Sequence, residues 1–89
     1  MIKAGDVLKF AEPLCDWHAD FLDKGGKYIL KQQHQLEFYQ TEDEVWHVRK
    51  LEELRPMHIF LVGRNYSIDC GEFADFEDKN FEIVGREMK

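Results

Sequence analysis

A chain of eighty-nine residues has room for one hydrophobic core and none for a separate catalytic domain, since a domain of this size buries only about 60% of its unfolded surface. With 44% apolar and 13% aromatic residues it is not a disordered chain, and its seven Phe, three Tyr and two Trp are expected mostly in the core. Twelve basic against eighteen acidic residues leave a net charge of −6, which repels a phosphate backbone and excludes direct nucleic-acid binding without a local basic patch. No such patch occurs: Lys24 and Lys27, beside Gly25-Gly26, are offset by Asp20 and Asp23.

Cys15 and Cys70 lie far apart, and a secreted domain of this size would carry more cysteines and pair them. Both are therefore expected as reduced thiols in a cytoplasm. The start of the chain has no signal-peptide apolar run, and no stretch approaches the roughly 20 apolar residues of a membrane span. A soluble protein made in its final form, with no membrane partner, is expected.

In chain order, Gly5-Asp6 is a turn that feeds a first strand through Val7, Leu8 and Phe10, ending before Pro13. Leu14, Trp17 and Phe21 recur at offsets of three and seven, which fits a helical turn or two within a long loop. Gly25-Gly26 ends that stretch. Lys27 to Gln33 is a second strand, and Gln35 to Gln40 continues it or pairs with it, with Leu36 and Phe38 on one face. Thr41-Glu42-Asp43-Glu44 fits a capping box, and Val45, Val48 and Leu51 follow at helical spacing until Pro56, so a helix is predicted over 41–55. The rival reading is a short strand from Val45 to Val48, because Val and Trp favour strands.

His58 to Val62, the turn Gly63-Arg64-Asn65 and Tyr66 to Cys70 read as a hairpin. Phe73 to Asp78 is a short irregular or 3₁₀ stretch, and Phe81 to Val84 a last strand. Ile59, Leu61, Ile68 and Ile83 are the predicted buried residues. One domain spans 1–89, with no internal repeat or linker.

This layout, Gly5-Asp6-Val7, a long loop, Lys24-Gly25-Gly26-Lys27-Tyr28-Ile29, a hairpin ending near Phe73 and a closing Phe81-Glu82-Ile83-Val84, resembles the small Src-homology-3-like barrels encoded by tailed bacteriophages. The resemblance covers residues 5–30 and 57–84 and stops between 35 and 56, where this chain carries an insertion. It implies a mainly β fold, a Src-homology-3-like barrel with a short helical insertion around 41–55, and a viral origin. It implies no catalytic residue and no cofactor, and the proline-binding groove of signalling domains does not follow from fold alone.

Cys15 and His18 have the spacing of a metal half-site, with Cys70, His34, His47 and His58 available to complete it. Without a second paired half-site the plainer reading is small core cysteines and scattered surface histidines, so no metal is predicted; a metal-binding structural or regulatory protein is the alternative. Cys15, Cys70, Ser67 and Thr41 are the only sensible nucleophiles, and none lies in a catalytic motif, which leaves a minor enzyme as a further alternative.

Acid is unevenly placed. Glu37, Glu42, Asp43 and Glu44 form one run without basic residues, and Asp69, Glu72, Asp75, Glu77 and Asp78 form another, interleaved with Phe73 and Phe76. Carboxylates around apolar anchors suit a protein partner with a basic surface; the plainer reading is a solvated loop whose phenylalanines face inward. The expected function is a small acidic protein-binding module, a phage accessory protein that inhibits or modulates a host protein. An inhibitor of a bacterial defence system is one form of that role.

Overall fold

The computed structural model describes residues 1–87, and the chain is mainly β. Its elements are β1 (Asp6–Phe10), α1 (His18–Asp23), β2 (Lys27–Lys31), β3 (His34–Gln40), β4 (Trp46–Leu54), β5 (His58–Val62), β6 (Ser67–Glu72), a 3₁₀ turn (Phe73–Phe76) and β7 (Phe81–Arg86). Five strands form one antiparallel sheet in the order β6-β5-β2-β1-β7, and β3 and β4 form a second sheet by themselves. The main sheet is open, with β6 and β7 as unpaired edges, so no closed barrel is formed among the described residues.

Alternation along β1, β2 and β5 builds the core. Leu8 and Phe10, Tyr28 and Leu30, Ile59 and Leu61 all point to one face. Leu14, Phe21, Tyr66, Phe73, Phe76 and Phe81 close over this cluster as a half-buried rim. Ile59 and Leu61 are buried as predicted, and Ile68 is half-buried. Ile83 departs from the prediction at 44% exposed: it faces Leu8 across β1, but β7 is an edge strand with a single neighbour and nothing covers its outer end.

The long loop after β1 is tied down by a buried polar knot. The Tyr28 hydroxyl accepts the Leu14 N–H at 3.1 Å and lies 2.9 Å from His18 Nδ1. The one hydroxyl thus ties both the Leu14 backbone and the His18 ring to β2. Burial pushes the His18 pKa down from its ordinary 6.5. The unfolded chain therefore takes up a proton that the folded one refuses, so stability is complete above 6.5 and declines as pH falls below it. Urea unfolding between about pH 7.5 and 5.5 should show this loss in the wild type and a flatter profile in His18→Gln; equal slopes in the two proteins would refute it.

The predicted helix over 41–55 does not form; these residues are the turn and second strand of a hairpin. The backbone N–H groups of Thr41 and Glu44, which a capping box would satisfy with side chains, bond backbone carbonyls of a tight turn instead. Glu44 N–H donates to the Thr41 carbonyl at 2.9 Å, the Thr41 hydroxyl bonds the Asp43 carboxylate, and Asp43 accepts the Val45 N–H at 3.3 Å. Glu44 takes the left-handed conformation at φ 63°, as in hairpin loops built on a type I turn. Beyond the turn β4 pairs with β3, Val48 against Phe38 and Trp46 against Gln40, and such cross-strand pairs with β-favouring side chains outweigh a local cap.

Candidate protein-binding surface

The β3–β4 hairpin projects from the body as an arm, on which no other described element packs extensively, in a molecule 52 Å long and 28 by 24 Å across. Its register sorts the side chains onto two faces. Glu37, Tyr39, His47 and Arg49 share one of them, and they satisfy each other. Arg49 pairs with Glu37 at 2.5 Å, Tyr39 stacks on His47 with ring centroids 5.4 Å apart, and the Arg49 guanidinium lies 5.3 Å from the Tyr39 centroid.

The other face is bare. Leu36, Phe38, Trp46 and Val48 lie together in register and are 49%, 67%, 67% and 53% exposed. An exposed leucine alone means little, but a contiguous patch with two aromatics on a small soluble domain marks an interaction site. A two-stranded hairpin is also marginal in water unless something packs on it. The aromatic residues expected in the core are thus split: Phe38 and Trp46 lie on the arm and Trp17 at the position before α1, all exposed, while Phe10 and Tyr28 are buried.

At the arm's tip Glu42, Asp43 and Glu44 are all exposed. The hydrogen bond from the Thr41 hydroxyl, helped by the Val45 N–H, holds the Asp43 carboxyl below its usual range. The second acidic run lies elsewhere, on and beside the 3₁₀ turn between β6 and β7. Glu72, Asp75, Glu77 and Asp78 are exposed there, but Phe73 and Phe76 turn inward, Phe73 against Phe81 with centroids 5.6 Å apart. That turn presents carboxylates without an apolar anchor. The anchors are on the arm. Leu36 and Phe38 were legible as one face of a strand, whereas Trp46 and Val48 fell within the expected helix.

Among the described residues no three His, Cys, Asp or Glu side chains come together as around a metal ion. Cys15 is exposed and His18 is engaged with Tyr28. Cys70 is half-buried, burial pushes its thiol up, and its S–H reaches the Ile68 carbonyl at 3.6 Å. His58 Nδ1 lies 2.9 Å from Asp69, and no Ser, Thr or Cys side chain is hydrogen-bonded to that pair among the described residues. Among the described residues no helix is long and apolar enough to cross a membrane. Comparison with protein families, curated proteins and solved structures yields no match.

Proposed function

We propose that this chain is a non-enzymatic protein-binding module that grips its partner with the apolar face of the β3–β4 arm. The observation that carries this reading is the contrast between the two faces of the arm, one closed on itself by an ion pair and a stack, the other exposing Leu36, Phe38, Trp46 and Val48. Desolvated aromatic anchors supply most of the free energy in protein interfaces. The three tip carboxylates, with those of the 3₁₀ turn, favour a partner with a basic surface and speed its approach. A strand order in which β7 returns beside β1 after a 3₁₀ turn supports reading the body as a Src-homology-3-like plan with the arm inserted between β2 and β5. That plan suits a phage accessory protein acting in the host cytoplasm to inhibit or modulate a host protein.

Capture from bacterial lysate, with bound proteins identified by mass spectrometry, tests the reading when wild type is compared with Phe38→Ser/Trp46→Ser. A basic protein retained by the wild type should be lost from the double variant, and its retention should weaken as NaCl rises from 0.05 to about 0.5 M. A protein held equally by both chains overturns the assignment to the arm. If reversal of Glu77 and Asp78 to Lys alone abolishes capture, the binding surface is the 3₁₀ turn.

A further inference from the structure

We infer that, in the absence of another partner, the apolar face of the arm is covered by the same face of a second copy of this chain, the tip of each arm lying over the root of the other. The inference rests on the reading of the arm as the binding surface and names what occupies that surface in the free protein.

Area makes the pairing feasible. The four apolar side chains expose about half to two thirds of their surface, and at ~150–250 Å² for an aromatic residue this amounts to about 450 Å² per chain. Two copies bury about 900 Å² from these side chains alone, close to the ~1,000 Å² at which a specific interface begins. The result is a weak dimer in which the same patch serves both subunits, as two-fold symmetry requires.

Charge selects the direction. Pairing tip to tip would gather Glu42, Asp43 and Glu44 of both copies in one place. Pairing tip to root sets them against a balanced region, where Lys50 and Arg55 offset Glu52 and Glu53. It also suits the face itself. From tip to root that face runs Trp46 beside Gln40, Val48 beside Phe38, then Lys50 beside Leu36. A two-fold axis at the Phe38–Val48 pair places Trp46 of each copy near Lys50 of the other, a cation over an indole, with the tip carboxylates beyond it.

Sedimentation of the full chain from about 5 to about 500 µM reads the pairing directly. The apparent mass should rise from 10.6 kDa toward twice that value, with half-association on the order of 10–100 µM as expected for an interface at the lower size limit. Phe38→Ser/Trp46→Ser should stay monomeric throughout. Glu42→Lys and Lys50→Glu should each weaken association at least threefold at 0.05 M NaCl, and their combination, which leaves the net charge at −6, should restore it. These surface charges also serve as the test should the double serine variant fail to fold. A monomer at every concentration, a dimer that survives the serine substitutions, or charge variants that do not rescue one another would each overturn the inference. Salt separates this result from the capture experiment, because pairing between two acidic copies persists or strengthens as NaCl rises toward about 0.5 M, whereas binding to a basic partner weakens.

Discussion

Ile59→Ala should cost about 3–4 kcal/mol of folding free energy, whereas Ile83→Ala should cost under about 1 kcal/mol, although both are apolar strand residues of the same sheet. Ile59 is 0% exposed and lies between Leu30 across β2 and the edge strand β6, in the layer that Leu8, Leu30 and Leu61 complete. Removing three of its carbons leaves a cavity in a layer fixed from both sides, where neighbours relax little. A domain of this length holds only about 4–13 kcal/mol in total, so the substitution takes a large share of it and should lower the melting temperature by more than about 12 °C. Ile83 has solvent on its outer side and loses little when truncated. Urea unfolding of the two variants checks the contrast, and equal midpoints would show that the core is centred elsewhere than on β1, β2 and β5.

What could be read from the residues depended on how local the deciding interaction is. The hairpin of β5 and β6 was legible because alternation, a glycine turn and β-favouring residues agree along one short stretch. The 3₁₀ turn and the inward packing of Phe73 and Phe76 were within reach for the same reason. Residues 41–54 were not. The backbone N–H groups of Thr41 and Glu44 can be satisfied by side chains at a helix N-terminus or by carbonyls in a hairpin turn, and the outcome is decided by pairing with residues 34–40, which no local signal reports.

The candidate site was obscured by the same ambiguity. Charge runs are visible one residue at a time, which drew attention to Glu72–Asp78, whereas the apolar patch exists only once Leu36 and Phe38 are set against Val48 and Trp46 by register. Ile83 illustrates a related limit. Period two assigns a residue to a face of the sheet, but only the strand order tells whether that face is covered. The same topology leaves the arm outside the core cluster, so its substitutions should act on association far more than on the folding of the body.

Tyr28→Phe should destabilise the fold by about 2–4 kcal/mol although it removes a single oxygen. The ring itself fits either residue, since it lies edge-on to Phe10 with centroids 5.3 Å apart and needs no hydroxyl for that contact. The oxygen holds the Leu14 N–H at 3.1 Å and His18 Nδ1 at 2.9 Å, and both belong to the long segment between β1 and β2 that has little regular structure of its own. Phenylalanine would leave a buried imidazole nitrogen and a half-buried N–H without partners, and each orphaned group costs about 1–3 kcal/mol, whereas an intact hydrogen bond contributes only about 1. Removing the imidazole as well relieves part of that cost. The double variant Tyr28→Phe/His18→Leu should therefore be at least about 1 kcal/mol more stable than the sum of the single changes predicts, the sign expected for two groups that satisfy each other. Amide exchange gives a second readout: the Leu14 N–H should lose its protection in Tyr28→Phe while the amides of Leu30 and Ile59, within the main sheet, keep theirs in proportion to global stability. A Tyr28→Phe variant within about 0.5 kcal/mol of wild type, with Leu14 still protected, would show that the loop is held by Phe21 and Tyr66 packing alone and that the buried hydroxyl is incidental.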